Sequence, residues 1–249
     1  MTRLQRLLVD TPHGLRALKP GDSVPLSEQE AHHARVLGLG AGAEVEIFDG
    51  GGTAALATLM SSPQGLSAVV LSPRAAAAPS PGITLAVAWP KGKRAAWLVE
   101  KCSELGVTHI VPVRFARGVV HKAEGSESLA RLRRIAAAAA KQCGRNDLPE
   151  ISAELTFEQL LAVHAPRHVV LLLDPRAELR MTDALAGQRD ILRQKPLLLI
   201  VGPEGGLERE EFTAALAHGA AAVRLARHVL RIETAALAAC AIAESCLGM

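Results

Sequence analysis

The sequence predicts an α/β protein: a small N-terminal β-barrel or sandwich, followed by a larger domain built on a mostly parallel sheet. Three observations carry that prediction. Up to Leu71, short apolar runs sit between turn signals. After Gly82, strand-like and helix-like periods alternate. Two of the later runs, HVVLLLD and PLLLIVG, are continuously apolar through their middles, as expected of parallel strands covered on both faces. Between the two textures lies SPRAAAAPSPG, residues 72–82, which is rich in Pro, Ala and Ser and has no apolar period; it reads as a linker. The expected divisions are therefore 1–72, a linker over 73–82, and 83–249.

In the first part, RLLV, SVPL, EVEIF, AALATLM and LSAVVL read as strands, with Gly50, Gly51 and Gly52 forming a turn between the third and fourth. One helix is expected over 27–37, with Ser27 as its N-cap and Glu30 at the capping-box position. ITLAVAW opens the second part as a strand. A helix over 92–105 follows, with Ala95, Leu98, Val99, Cys102 and Leu105 on one face and Gly106 as its stop. THIVPVRF is a strand, 128–143 a helix ending at Gly144, and TFEQ at 156–159 a capping box for a short helix to about His164. After the two buried strands come a helix over 208–218, the strand AAVRLA and a last Ala-rich helix over 233–247. No internal repeat of fixed period is present.

With 249 residues, 49% of them hydrophobic and 21% charged, the chain has material for a sizeable core, and global disorder is excluded. Its aromatic residues are only Trp89, Trp97, Phe48, Phe115, Phe157 and Phe212, with no Tyr, so an extended base-stacking sheet has almost nothing to build from. The apolar stretch 235–243 falls well short of the ~20 residues of a membrane span, and no membrane association is expected. The segment MTRLQRLLVDTPHG lacks a continuous apolar region of the secretory kind, so the expected location is cytoplasmic. Cys102, Cys143, Cys240 and Cys246 form no CxxC pair, and the nine His show no HExxH spacing. Adjacent His32 and His33 point different ways, and no metal is expected.

Charge is unevenly distributed. Residues 81–150 hold twelve basic and six acidic side chains, whereas the segments on either side are slightly acidic. Such runs often form solvated helix faces, but twelve cations in so short a stretch also suit a polyanionic partner.

Three segments carry candidate chemistry. IVGPEGGLEREE, 200–211, ends a buried strand in a turn containing Gly202, Pro203, Gly205 and Gly206. Glycine allows close backbone approach to a ligand, and strand C-termini are where α/β sheets bind ligands. The acids Glu204, Glu208, Glu210 and Glu211 disfavour an anion there and tolerate a cation; a simple tight βα turn reads equally well. RLARHVLRIETAALAA, 224–239, gathers Arg227, His228, Arg231 and Glu233 before the last helix, which Thr234 is placed to cap. The alternative is an ordinary basic loop paired with a helix-start acid. KQCGRNDLP, 141–149, is a polar turn that also reads as a plain helix stop at Gly144.

Taken together, VGPEGG and the later HVLRIETAALAA resemble the two signature segments of the ribosomal small-subunit RNA methyltransferase E family. These are SPOUT-class enzymes that methylate N3 of a uridine in 16S ribosomal RNA. VEIFDGGG, KGKRAAWLVEKCSELGVTHIVPV, KQCGRNDLP and LLLDP follow the family's order. The chain departs from the family at Gly38, Ala226 and Ile232.

The resemblance implies an N-terminal PUA-like β-barrel, a C-terminal SPOUT domain whose parallel sheet is knotted as a trefoil, and S-adenosyl-L-methionine as cofactor. It also implies a homodimer, and 16S ribosomal RNA or the small ribosomal subunit as partner. The cofactor is expected against Leu172, Leu173 and Asp174, against Val201, Gly202, Pro203, Glu204, Gly205 and Gly206, and against Leu225, His228, Val229, Leu230 and Thr234. Gly205 is expected to be where a side chain would occupy the space the ligand needs to approach the backbone. Uridine N3 must lose its proton before it can act as a nucleophile. Arg231 is therefore expected at the imide oxygen, because a guanidinium stays charged and offers a rigid fork of donors. Glu204 or Glu233 would take the proton or orient Arg231. Arg3, Arg6, Arg35, Lys91, Lys93, Arg94, Arg114 and Arg145 are expected to meet RNA phosphates. A SPOUT enzyme acting on another base or a ribose 2′-OH, and a catalytically silent RNA-binding protein, are the alternatives.

Overall fold

The computed structural model describes residues 4–63, 65–74, 81–118 and 126–247. They form two compact units, Met1–Ala78 with Ala137–Leu148, and Pro79–Ala136 with Pro149–Met249.

The first unit is built on a five-stranded sheet. Its strands are β1 (Arg6–Leu8), β2 (Ser23–Pro25), β3 (Glu44–Phe48), β4 (Ala54–Ser62) and β5 (Gly65–Arg74), ordered β1-β3-β4-β5-β2. Only the β1–β3 pair is parallel. A register shift in β4 between Leu56 and Ala57 bends the long β4–β5 ribbon, as bulges do. Leu7, Val24, Val45, Ile47 and Leu59 fill the core. Helix α1 (Glu28–Val36) starts where expected, with Ser27 Oγ accepting from the Glu30 amide at 3.2 Å. The capping box is only half made, because the Glu30 carboxylate turns inward to accept from the Leu8 amide and pairs with Lys141.

Residues 137–148 lie far along the chain yet belong to this first unit. Arg6 draws them in: its guanidinium donates to the carbonyl oxygens of Ala140 (2.9 Å) and Arg145 (2.8 Å), to Asn146, and to Glu46 (2.6 Å). Its charged plane also lies over the Phe48 ring, 4.4 Å from the centroid. The expected turn at 50–52 is more than a hairpin connection. The Leu148 amide donates to Gly50 O and the Gly52 amide to Asn146 O, while Asp49 Oδ1 accepts from the amides of Gly51 and Thr53. Likewise, KQCGRNDLP is not only a helix stop; it is part of this unit's packing.

The second unit is an all-parallel sheet flanked by helices. Chain order runs β6 (Ile83–Ala88), α2 (Lys93–Glu104), β7 (Val107–Arg114), α3 (Ser126–Cys143, whose last turns lie in the first unit), β8 (Glu150–Ile151), β9 (Leu155–Thr156) and α4 (Phe157–His164). It continues through β10 (Val169–Leu173), α5 (Met181–Gly187), α6 (Arg189–Leu192), β11 (Leu197–Val201), α7 (Arg209–Ala217), β12 (Ala221–Val223) and α8 (Ile232–Leu247). The strand order is β12-β10-β11-β6-β7-β8, with β9 also pairing with β7. Every residue of β6 and β11 is buried, as continuous apolar runs at a sheet centre must be. Helix α2 buries Ala95, Leu98, Val99 and Cys102, the predicted face. The capping box at Thr156 and Gln159 is complete.

Three differences from the sequence reading stand out. AAVRLA forms only a three-residue strand, because the chain leaves the sheet edge at Arg224. The short strands β8 and β9 and the helices α5 and α6 were not foreseen; all are brief and carry little period. After β12 the chain turns back from the sheet edge, and α8 packs on the central strands β6 and β11. Residues 225–231 make that crossing, past the C-terminal ends of β10 and β11.

Candidate active site

Three loops meet at the C-terminal ends of β10, β11 and β12 and enclose a cavity of about 300 Å³. Its wall takes Leu172, Leu173 and Asp174 from the first loop, Val201, Gly202, Pro203, Glu204, Gly205 and Gly206 from the second, and Leu225, His228, Val229 and Leu230 from the third. Thus the structure brings the expected cofactor residues together, with the exception of Thr234, which is exposed in the first turn of α8 and lines no part of the wall. Leu207, Phe212, Arg117 and Arg176 also line the wall, unforeseen from sequence. Arg117 was open to discovery, since it follows a parallel strand, and loops after such strands form ligand sites.

The glycine turn is shaped by local sterics. Gly206 has φ +71°, and its amide closes a turn onto Pro203 O at 2.8 Å. A Cβ on Gly202 would lie 2.4 Å from Leu207 Cδ1, which leaves no room for one. At Gly205 a Cβ would meet only Arg117, at an ordinary 3.7 Å. The internal crowding therefore lies at Gly202, whereas at Gly205 the space beside the backbone is open toward the cavity.

The acids that follow the turn are largely structural. Glu208 and Glu211 form a reciprocal capping box on α7, and Glu211 Oε1 also accepts from the Ala116 amide at 2.8 Å. Arg117 donates to Gly205 O at 3.2 Å and lies 3.9 Å from Glu208. The β7 exit loop is thereby tied to the glycine turn. Glu204 stays exposed on the wall. Burial disfavours the ionised form of Asp174, but hydrogen bonds from the Arg176 side chain and amide outweigh it and hold the carboxyl below its ordinary range.

A second cavity, of about 260 Å³, opens at the ends of β6 and β7. It shares Pro203, Glu204, Gly205, Arg117 and Ile232 with the first. Trp89, Phe115, Lys91, Arg94, Arg114 and Glu154 line the remainder.

The three residues expected to carry the chemistry fall in different places. Arg231 is exposed and lines neither cavity; its carbonyl accepts the first hydrogen bond of α8, from the Ala235 amide. Glu233 is buried at 7% exposure, and its Oε1 lies 3.5 Å from Arg94 Nη1. Glu204 alone lines both cavities. Arg231 and Glu233 therefore do not form the expected pair: α8 turns Glu233 inward and leaves Arg231 at the surface.

The expected RNA contacts also divide. Lys91, Lys93, Arg94 and Arg114 are exposed in the second unit, and Arg35 in the first. Arg6 is buried on the partners described above, and Arg145 is held by Asp147 at 2.6 and 2.8 Å, so both serve packing rather than phosphates. Arg3 lies outside the described residues. Among the described residues, no cluster of His, Cys, Asp or Glu could hold a metal ion, and no helix is long and apolar enough to cross a membrane.

Comparison with known proteins defines the class first. Residues 78–244 match the RNA methyltransferase domain family, and residues 26–71 match the RNA methyltransferase PUA domain. Ribosomal RNA small subunit methyltransferase E of Synechocystis sp. is 32% identical over 215 residues, covering 86% of this chain and 70% of its own. The Mycobacterium bovis protein of the same name is also 32% identical, over 84% of this chain and 80% of its own. Among solved structures, the Neisseria gonorrhoeae ribosomal RNA small subunit methyltransferase E bound to S-adenosyl methionine superposes with a TM-score of 0.84. It is 28% identical and covered to 98% on both chains. The chain belongs to the ribosomal RNA small subunit methyltransferase E family.

Proposed function

We propose that the protein transfers a methyl group from S-adenosyl-L-methionine to N3 of a uridine in 16S ribosomal RNA. The observation that carries this reading is the pair of cavities at the strand ends, which share the 203–205 turn as a common wall. Two cavities that adjoin at one turn can bring a methyl donor and an acceptor ring together edge to edge where they meet, the main physical requirement of a bimolecular reaction.

The residues of the first cavity fit the cofactor. Leu172, Val201, Leu207, Phe212 and Leu230 offer an apolar lining for an adenine ring. The wall also bears both signs of charge, with Asp174 and Glu204 as well as Arg117 and Arg176. That mixture suits a ligand carrying a sulfonium, an ammonium and a carboxylate. When bound, the cofactor supplies an already activated methyl group. The chain's own tasks are to orient the acceptor, exclude water and stabilise the charge left when N3 loses its proton.

Exposed Lys91, Lys93 and Arg114 are placed to meet phosphates near the second cavity, and Arg35 on the first unit. A homodimer is part of this reading, as the family resemblance implies. So is a cytoplasmic location, where the ribosomal substrate is assembled.

Mass mapping of 16S RNA, incubated with the protein and cofactor either free or in small subunits, tests the reading. One methylated uridine at N3 is expected. A methyl group on a ribose or another base overturns the assigned acceptor atom. No cofactor binding by calorimetry would show a silent RNA-binding protein instead.

A further inference from the structure

The second cavity contains features that phosphate binding does not require. Two of the chain's six Trp and Phe residues line it: Trp89, 9% exposed, and Phe115, which is buried against the Phe157 ring behind it. Flat aromatic surface is what a flipped nucleobase stacks on, and one ring needs far less of it than a single strand does. Arg94 stands on the same wall with its side chain half exposed. Behind it lies the Glu233 carboxylate, with Oε1 facing the guanidinium and Oε2 buried without a hydrogen-bond partner. A buried carboxylate so placed is costly unless a fixed cation answers it, and Arg94 is the cation it faces. The pair therefore draws one end of the guanidinium toward Glu233, while the half-exposed side chain still lines the cavity. On the opposite wall, Glu204 borders both cavities.

We propose that the second cavity receives the uracil ring of the acceptor nucleotide, and that Arg94, positioned by Glu233, is the guanidinium that meets the imide oxygen. This rests on the uridine-N3 reading above. In the step assigned here, the N3–H bond breaks and its proton passes to the Glu204 carboxylate. The electron pair of that bond remains on the N3–C4–O4 system, where its charge faces Arg94. Arg94 is thus a catalytic residue and Glu233 a positioning residue. Arg231, which lines neither cavity, takes no part in the step.

The test uses the full-length protein with 16S RNA carrying uridine or 5-fluorouridine at the target, in single turnover with both substrates saturating. Arg94→Gln is expected to lower the rate on uridine by about 10²–10³, the usual loss for one such donor. Its affinities for cofactor and RNA should stay close to wild type. Because 5-fluorouridine has the more acidic N3, it should recover much of the loss in the variant and change the wild type little. Glu233→Gln, near-isosteric and so tolerated by the fold, should move the pH–rate profile in the same alkaline direction as Arg94→Gln. The double variant should be no slower than Arg94→Gln alone. A rate loss that tracks weaker RNA binding, and is the same on both substrates, would make Arg94 a phosphate contact and overturn the proposal.

A readout without turnover decides the ring's place separately. RNA with 4-thiouridine at the target should photocrosslink to the peptides bearing Trp89 or Phe115. Crosslinking confined to 225–230 would remove the ring from this cavity. If the wild type methylates an atom other than uridine N3, the functional reading fails, while the crosslink still locates the target ring.

Discussion

Gly202 has so little room around it that a single carbon atom decides the shape of the cofactor wall. Gly202→Ala places its Cβ against Leu207, itself part of that wall, and overpacking of this kind costs about 1–3 kcal/mol. Calorimetry should show a loss of S-adenosyl-L-methionine affinity of roughly ten-fold or more. Gly205→Ala meets only Arg117 and should stay near wild type. The sequence showed that this turn needs glycine but not which glycine, since the crowding depends on how Leu207 folds back. The chemistry was legible to a similar degree. HVLRIETA marks the segment that holds both Arg231 and Glu233, yet whether Arg231 or Glu233 faces inward depends on the rotation of α8 after a loop that has no period of its own.

At the scale of elements, the crossing segment 224–231 has two faces. Leu225 and Ala226 line the cofactor cavity and also a third cavity, of about 230 Å³, bounded by Arg180, Arg224 and Arg227. Replacing Arg180 and Arg227 with Gln should reduce the slope of log affinity for 16S RNA against log salt by about 0.7–0.9 for each phosphate that these side chains neutralise. Cofactor affinity should not change. An unaltered slope would show these to be solvated side chains. Near the other end of the sheet, α4 and the starts of β6, β7 and β10 gather three histidines. His164 lies 5.4 Å from His109 and 5.3 Å from His168, ring to ring; His168 hydrogen-bonds His164 O and Thr84, and His109 bonds Ser152. Burial, then the neighbouring rings and Arg167, lower His164 to about 4, against which Glu150 acts weakly; His109 and His168 are lowered too, mainly by burial. The folded state thus favours the neutral rings. The stability this gives is complete above pH ~6.5 and is lost as pH falls toward 4, by on the order of 1–3 kcal/mol. Denaturant melts across that range should show the decline, and His164→Gln should flatten it. The strands and helices around this cluster were legible, because apolar period fixes them. The cluster itself was not, since its members are up to 59 residues apart in sequence.

For the molecule as a whole, the least legible feature is the return of residues 137–148 to the first unit. Neither RLLV nor KQCGRNDLP carries a local sign of the other, and a lone Arg in a short strand reads as a surface cation. Arg6→Met should be among the most damaging single changes, because it removes the buried cation that pairs with Glu46 and ties β1 to Ala140, Arg145 and Asn146; about 3–5 kcal/mol is usual for a broken buried pair. Denaturant unfolding should show that loss, with the first unit becoming sensitive to protease. The same wiring sets an order for synthesis. A growing chain has made all five strands of the first sheet once Arg74 is complete, yet Arg6, Glu30 and Phe48 still wait for Ala140, Lys141 and Leu148. The N-terminal unit therefore does not finish folding when its own strands are done, as domains made in sequence usually do. Ribosome-stalled chains ending near residue 110 should be cut readily within the first sheet, and those long enough to expose Leu148 should resist. Birth order and folding order are thus uncoupled: the part translated first is completed only after the first stretch of the second unit, Pro79–Ala136, has been made.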